Sequence, residues 1–435
     1  MRTIALEEHL VTAGLAAAGS QPWHPSLRDV LLDVGQGRLA DMDAAGIDVQ
    51  VISHVAPAAQ QLRGAEAAQA ARRANDQLAA AIASHPGRLA GFATLPTGDP
   101  AAAADELERA VSDLGFVGAL VNSTLGTNGA FLDDARFEPL LARFEQLDVP
   151  LYLHPAPPPA ELHEILFGGL AEPLAGRLAT AAWGWHSEAG LHALRMVTAG
   201  VFDRHPGLRM IIGHCGEMIP FMLDRIDRIL RGLTGLALSP SEYFLRNVWV
   251  TTAGMFSLPP VMCTVQVFGV DRVLFSVDYP FGSNQAGRQL LDMLPLSPAD
   301  RAKIAGGNAE RVLRLALPPS SARVYSRAGP GSAVPPAGTA ALLWRTSRAC
   351  SAARVMLSLT KSRKRAMFSR RAAAGVPGPR TATPCRAVSQ EHRKHLRPEH
   401  PRDHRPRRHH RPQPVRNNDS HKAGNRPSRA VRSAA

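Results

Sequence analysis

The sequence has 435 residues, 50 of them Lys or Arg and 37 Asp or Glu, and its formal net charge of +13 would suit a nucleic-acid partner. Residues 1–317, however, carry 24 basic and 33 acidic side chains, whereas residues 318–435 carry 26 and 4, which excludes a uniformly basic protein. No apolar run approaches the roughly 18 residues of a membrane span, and Glu7 and Glu8 stand where a signal peptide would be apolar. The four cysteines form no CxxC pair. We therefore expect a cytoplasmic protein with free thiols.

Residues 1–317 alternate short apolar runs with longer stretches of helical periodicity. The predicted strands are Thr3–Leu6, Val49–Ser53, Leu89–Thr94, Gly118–Val121, Leu151–His154, Met210–His214, Val248–Thr251 and Val273–Ser276. The predicted helices include Ala65–Ser84, Ala101–Asp113, Asp134–Leu147, Leu191–Phe202, Glu217–Arg231 and Pro298–Leu317. Eight such units predict an α/β fold, a (β/α)₈ barrel. The alternative is a doubly wound open sheet, whose dinucleotide-binding form is disfavoured because no GxGxxG motif follows the first strand.

Polar side chains close the first predicted strand. In the segment Leu6-Glu7-Glu8-His9, side-chain alternation puts Glu7 and His9 on one side of the strand and Glu8 on the other. A carboxylate and an imidazole spaced in this way can bind one cation between them, although a polar turn that leaves the strand explains the segment equally well. The pair is therefore a candidate site only in combination with the other strand ends.

Three further strands end in groups that can bind metal or transfer protons. The fifth ends at His154, the sixth continues through His214 to Glu217, and the eighth is followed by Asp278. Each of these side chains alone is compatible with a structural role. In a (β/α)₈ barrel, however, the carboxyl ends of the strands form the active site, so we expect these groups to lie together. His214 and Glu217 would then be available for proton transfer beside the site.

Two imidazoles and two carboxylates make a plausible ligand set for one divalent cation. Glu7 and Asp278 would neutralise its charge. His9 and His154 would bind it as neutral donors. The sequence therefore predicts a mononuclear metal site.

An ordered set of motifs extends from residue 3 to about Leu317. It comprises Ala5-Leu6-Glu7-Glu8-His9, Asn75-Asp76, Gly115-Phe116-Val117-Gly118-Ala119-Leu120-Val121-Asn122, Leu153-His154-Pro155, Gly213-His214-Cys215-Gly216-Glu217 and Leu274-Phe275-Ser276-Val277-Asp278-Tyr279-Pro280-Phe281. This set resembles the amidohydrolase superfamily. It is most similar to the branch that contains amino-carboxymuconate-semialdehyde decarboxylase and the hydroxybenzoate (γ-resorcylate type) decarboxylases.

The resemblance implies a distorted barrel with one divalent ion, zinc or alternatively manganese, in a homodimer or homotetramer. It implies the same four metal ligands and adds a proton-transfer role for Asp278, with His214 and Glu217 assisting. Arg225 resembles an arginine with which the family binds substrate anions. The segment Pro155–Thr180 is rich in Pro and Ala, unlike the corresponding decarboxylase loops, which leaves the identity of the acid open.

The function that follows is non-oxidative decarboxylation of a hydroxylated aromatic or unsaturated carboxylic acid. The single lysine of residues 1–317, Lys303, lies in a late predicted helix, which disfavours Schiff-base chemistry. The alternative is metal-assisted hydrolysis of a lactone or ester with the same ligands.

Residues 318–435 differ from the rest of the chain in composition. Few large apolar side chains and a net charge of +22 predict a disordered basic tail, because little surface can be buried to offset the entropy of ordering. Binding of nucleic acid through its arginines is the less favoured alternative, since no aromatic side chains stand between the arginines for base stacking. The scarcity of acidic residues is also compatible with a GC-rich gene read out of frame or beyond its stop.

Overall fold

The structure is a computed structural model that describes residues 1–18, 24–123, 125 and 130–315. The predicted tail and its boundary at residue 317 lie outside the described residues and stay predictions. Within the described part, no helix is both long and apolar enough to cross a membrane.

All eight predicted strands are present. They are β1 (Ile4–Leu10), β2 (Val49–His54), β3 (Leu89–Gly91), β4 (Ala119–Asn122), β5 (Leu151–His154), β6 (Met210–Ile212), β7 (Val248–Thr251) and β8 (Val273–Leu274). They pair in parallel, as one sheet in the order β1-β2-β3 and a second in the order β4-β5-β6-β7-β8. Single parallel bridges, Ala93 with Ala119 and Leu6 with Ser276, connect the sheets at both edges. The fold is therefore mixed α/β with parallel strands, as predicted.

Helices follow most strands. They are α1 (Ala13–Ala18), α2 (Pro25–Leu32), α3 (Gln36–Ala45), α4 (Gly64–Ser84), α5 (Pro100–Ser112), α6 (Glu138–Leu147), α7 (Ala160–Phe167), α8 (Leu174–Ala179), α9 (Gly184–Thr198), α10 (Val201–Arg204), α11 (Ile219–Leu230), α12 (Pro240–Asn247), α13 (Leu258–Phe268), α14 (Asn284–Met293), α15 (Pro298–Ala302) and α16 (Asn308–Val312). Short 3₁₀ turns span Ala58–Gln61, Ala135–Phe137 and Val270–Arg272, and a π-helical turn, Lys303–Gly307, joins α15 to α16.

Three strands end earlier than the sequence predicts. The strand expected over Met210–His214 stops two residues early, because His214 and Cys215 have φ angles of 47° and 56° and cannot continue an extended chain. The strand expected over Val273–Ser276 also stops two residues early, and the strand expected over Leu89–Thr94 stops three residues early. All three differences fall at the carboxyl ends of the strands.

Two apolar layers hold the strands in place. One buried cluster lies on the inner face of the sheets and takes side chains from β1, β2, β4, β5, β6 and β8, among them Leu6, Val51, Leu120, Tyr152 and Leu274, while β3 and β7 contribute partly buried side chains. The other, larger cluster packs the opposite face of the strands against the surrounding helices. Buried on both faces, the strands read as nearly continuous apolar runs, and only their carboxyl ends carry ionisable groups.

Candidate active site

A bulge in β1 turns both Glu7 and His9 toward the site. Leu6 belongs to the inner cluster, so strict alternation would turn Glu7 away from it. The pairing of β1 with β2 slips between Ala5 and Glu8, and Glu7 has a φ of 61°. An extra residue in one strand re-aims the side chains that follow it. Glu7 and His9 therefore both face the site and Glu8 faces away, the arrangement predicted from the sequence.

Glu7 is fully buried, and its two oxygens have different roles. Its Oε2 accepts hydrogen bonds from the hydroxyls of Tyr152 and of Thr251, the latter at 3.3 Å. Its Oε1 accepts no hydrogen bond among the described residues and lies 3.4 Å from Nε2 of His154. Burial raises the pKa of Glu7 to about 7, although the charges of His214 and His9 lower it. A cation beside Oε1 would compensate the cost of burying this carboxylate.

His154 is fixed as a neutral donor whose Nε2 faces Glu7. Its Nδ1 lies 3.0 Å from Oδ1 of Asn122, and the amide nitrogen of that Asn122 side chain donates to Oε1 of Gln60 at 3.1 Å. The second bond orients the amide of Asn122, so Nδ1 of His154 carries the hydrogen and Nε2 keeps a lone pair. Burial and the neighbouring imidazoles of His9 and His214 hold the pKa of His154 well below 6.5.

Asp278 completes the group from the segment after β8. Its Oδ1 lies 3.2 Å from Nε2 of His9, and its Oδ2 lies 3.8 Å from Nε2 of His214. Its φ of 68° directs the side chain back over the strand ends. Although burial raises it, the pKa of Asp278 is lowered on balance by the hydrogen bonds and charges of His214 and His9. Asp278 is therefore held as a carboxylate.

These residues fit a single divalent cation. The ligand atoms of Glu7, His9 and His154 all lie within 4.8 Å of one another, and Asp278 contacts His9. Two ligands that are each about 2.1 Å from one ion stand roughly 3.4 Å apart in a tetrahedral arrangement. The observed separations of 3.4 Å, between Glu7 and His154, and 3.2 Å, between His9 and Asp278, match that spacing.

His214 and Glu217 form a second pair beside these ligands. Nδ1 of His214 lies 2.6 Å from Oε1 of Glu217, and its Nε2 lies 3.7 Å from Oε1 of Glu7. Burial lowers the pKa of His214, but the carboxylates of Glu217 and Glu7 outweigh burial and raise that pKa well above 6.5. Burial raises the pKa of Glu217, but His214 and His186 lower it on balance. The neighbouring carboxylates therefore favour the protonated form of His214.

The contacts of His186 and Glu8 at the site could not be predicted from the sequence. His186, in the first turn of α9, donates from Nδ1 to Oε2 of Glu217 at 2.7 Å. Glu8, on the outer side of β1, accepts hydrogen bonds from the backbone amides of Val277 and Tyr279, each at 2.9 Å. In the sequence, His186 lies far from any predicted strand end. Side-chain alternation places Glu8 on the side of β1 that faces away from the site. The sequence pattern therefore indicates a role at the site for neither residue.

Arg225 is the one predicted site residue that the structure leaves apart from the group. It lies on α11, which follows His214, and its side chain is exposed. Among the described residues it makes no hydrogen bond or ion pair with the ligand set. Binding of a substrate anion by Arg225 therefore stays a prediction.

Comparison with known proteins gives consistent matches. A family model described as amidohydrolase matches residues 22–315. Decarboxylase orsB of Emericella nidulans is 39% identical over 329 residues, covering 72% of this chain and 97% of that protein. A solved 2,6-dihydroxybenzoate decarboxylase complexed with 2,6-dihydroxybenzoate gives a TM-score of 0.67 at 37% identity, covering 72% of this chain and 99% of that chain. A dihydroxybenzoic acid decarboxylase from Polaromonas sp. JS666, solved with bound manganese and the inhibitor 2-nitroresorcinol, gives a TM-score of 0.67 at 38% identity, with coverages of 72% and 97%.

Proposed function

Because the chain belongs to the amidohydrolase family, we propose that it catalyses the metal-dependent, non-oxidative decarboxylation of a hydroxylated aromatic acid. It is a carboxy-lyase of the branch whose named members include decarboxylase orsB and the dihydroxybenzoate decarboxylases. The observation that carries the assignment is the buried group of two carboxylates and two imidazoles at the carboxyl edge of the parallel strands, with the proton-bearing His214 beside it. A small aromatic carboxylic acid is the expected substrate.

Glu7, His9, His154 and Asp278 would hold one divalent ion. Manganese, bound in the Polaromonas structure, and zinc, which favours imidazole and carboxylate ligands, are the two ions to test. When bound, such an ion would act as a Lewis acid that screens the negative charge of the acid.

The protein's own groups would move the proton. His214 holds it at Nε2, 3.8 Å from Oδ2 of Asp278. Asp278 takes it and delivers it to the ring carbon that bears the carboxylate. The new C–H bond forms, the bond from this carbon to the carboxylate carbon breaks, its electron pair returns to the ring, and CO₂ leaves. Glu217 keeps His214 charged and oriented through the bond at Nδ1.

We also propose that the two sheets together form one eight-stranded (β/α)₈ barrel. The parallel bridges Ala93–Ala119 and Leu6–Ser276 support closure, because with them each strand has a neighbour on both sides. The inner cluster supports it as well, since it joins side chains from both sheets.

Lactone or ester hydrolysis is the competing chemistry for the same ligands. One experiment separates the two reactions: the metal-loaded protein is incubated with hydroxybenzoates and with aryl lactones in ¹⁸O-labelled water. Decarboxylation predicts CO₂ release without incorporation of ¹⁸O into the aromatic product. Incorporation of ¹⁸O into the product of a lactone, without CO₂, would establish the hydrolase instead.

We propose a homodimer or homotetramer that uses the exposed face of α11. Phe221 is 84% exposed and Ile229 is 53% exposed, and both flank Arg225 at intervals of four residues. Large apolar side chains in such a stripe are common at interfaces between subunits. Light scattering of the wild type and of Phe221→Glu should show a smaller particle for the variant.

The location in the cytoplasm stays a prediction.

A further inference from the structure

His186 contacts both Glu217 and the ring of His214, with the two imidazole centroids 4.7 Å apart. Its side chain is 14% exposed, and its Nδ1 lies 2.7 Å from Oε2 of Glu217. Its Nε2 lies 3.0 Å from the backbone oxygen of Ala181. The ring thus links the segment before α9 to a carboxylate that is completely buried.

Both partners of His186 are hydrogen-bond acceptors. An ionised carboxylate and a backbone carbonyl can only accept hydrogen bonds, so a hydrogen on Nδ1 is donated to Glu217 and a hydrogen on Nε2 to Ala181. Glu217 receives one charge-assisted hydrogen bond at each oxygen, from His186 at Oε2 and from His214 at Oε1. The carboxylate is therefore held between two imidazoles and cannot rotate without losing one of them.

Helix α9 is docked closely enough to make this contact specific. A Cβ atom on Gly190 would lie 2.4 Å from the backbone oxygen of Glu217, so only glycine permits the observed approach. His186 and Gly190 are four residues apart and therefore share one face of the helix. That face contacts both the backbone and the side chain of Glu217.

We propose that His186 is a positioning residue for proton transfer, an inference that rests on the proposed decarboxylation. By fixing Glu217, it fixes the bond to Nδ1 of His214 and keeps Nε2 of His214 directed at Asp278 and Glu7, 3.8 and 3.7 Å away. Within the described part of the chain, His186 makes no hydrogen bond or ion pair with Glu7, His9, His154 or Asp278, and its ring contacts that of His214. Its loss should slow turnover without weakening the binding of metal or substrate.

Three variants of the full chain test the proposal. His186→Asn keeps an N–H donor close to the position of Nδ1, His186→Gln places its donor closer to that of Nε2, and His186→Phe keeps only the ring. We expect His186→Phe to lower kcat by about 10- to 100-fold, the range for a lost hydrogen bond to a charged group, with KM and metal content within about twofold of wild type. His186→Asn should recover most of the loss and His186→Gln little of it. A structural role alone would not separate these two amides.

A spectroscopic arm needs no substrate. In zinc-loaded protein, the Nδ1 proton of His214 should give a low-field ¹H signal, assigned by its absence in Glu217→Gln. We expect the signal to remain in His186→Asn and to broaden or vanish in His186→Phe. The proposal is overturned if His186→Asn is no better than His186→Gln in kcat, or if the signal is unchanged in His186→Phe. A wild type that keeps the signal but decarboxylates no acid would refute the proposed function and leave the positioning contact intact.

Discussion

The carboxylate of Glu8 accepts hydrogen bonds from the backbone amides on both sides of Asp278. Oε1 receives the amide of Val277 and Oε2 that of Tyr279, each at 2.9 Å. Asp278 lies between them with a φ of 68°, a conformation that residues with a Cβ seldom adopt. Glu8 thus stabilises a backbone geometry that Asp278 needs in order to reach His9 and His214.

A buried arginine strengthens this support. Arg38 is fully buried, donates to the backbone oxygen of His9 at 2.6 Å, and stacks over the ring of Tyr279 at 4.8 Å. Burial raises the pKa of Glu8 to about 8, while the amides of Val277 and Tyr279 and the charge of Arg38 act in the opposite direction. The segments that carry three of the four predicted ligands, β1 and the turn after β8, are therefore connected by side chains outside the ligand set.

Glu8→Gln should disturb Asp278 without removing a ligand. The amide nitrogen of glutamine cannot accept a backbone N–H, so one of the two bonds is lost and two donors face each other. We expect kcat to fall about 5- to 100-fold, because a buried backbone N–H left without an acceptor costs about 1–3 kcal/mol. Steady-state kinetics of Glu8→Gln beside the exposed Glu66→Gln would check this, and equal activity of the two variants would contradict it.

Gly213→Ala should weaken metal binding. A Cβ atom at this position would lie 2.7 Å from Oε2 and 3.0 Å from Oε1 of Glu7, so the carboxylate would have to move. Displaced support of a ligand typically costs about 10- to 100-fold in metal affinity, and we expect a loss in that range. Competition with a chelator measures the affinity. The matched control is Gly14→Ala in α1, because no atom of the described residues lies within 4 Å of the added Cβ, and that variant should bind metal normally.

Glu217→Gln should reveal the ion pair with His214 through the dependence of stability on pH. The pKa of Glu217 is lowered from 4.5, so its contribution to the free energy of unfolding is present above pH 4.5 and is lost as the pH falls through the folded-state pKa. The pKa of His214 is raised from 6.5, so its contribution to the free energy of unfolding is present below pH 6.5 and is lost as the pH rises through the folded-state pKa.

The difference in unfolding free energy between wild type and Glu217→Gln should therefore be greatest between pH 4.5 and 6.5. Breaking a buried ion pair costs about 3 kcal/mol or more, which sets the expected size of this difference. Urea denaturation of the metal-free proteins from pH 4 to pH 9 would measure it. A difference that stays constant over this range would show that no such pair contributes.

Removal of residues 318–435 should leave catalysis unchanged. The ligand set, His214 and Glu217 all lie in residues 1–315, and the family match also ends at residue 315. We expect kcat and KM of the 1–317 protein within about twofold of the full chain, because no group of the site is removed. DNA titrations at several salt concentrations would test the alternative role of the basic segment. Salt-dependent binding by the full chain alone would support that role, and negligible binding by both would exclude it.

The order of strands and the composition of the site could be predicted from the sequence, because both follow from local patterns. Apolar runs marked all eight strands, and residues such as His154 and Asp278 stood immediately at or after their ends. In a parallel sheet these ends share one edge, so residues far apart in the chain could be placed together without knowledge of contacts.

The remainder depends on contacts that no local pattern encodes. Strict alternation from Leu6 would have turned both Glu7 and His9 outward, and only the slip against β2 shows how both come to face the site. The start of α11 was expected at Glu217 but falls at Ile219, since Glu217 has a φ of 50°. His186 reaches the site through the packing of α9, which periodicity cannot register. The exposure of Arg225 was equally invisible in the sequence.

The most direct test measures metal content and CO₂ release from dihydroxybenzoates on the same samples of wild type and His154→Ala. We predict that each wild-type chain binds about one ion, supplied as manganese or zinc. A chelator should abolish CO₂ release, and the metal should restore it. His154→Ala should lose the ion and slow CO₂ release by roughly 1,000-fold or more, in line with the several kcal/mol that a bound metal contributes. Full turnover by His154→Ala, or by metal-free wild type, would contradict metal-dependent decarboxylation at this site.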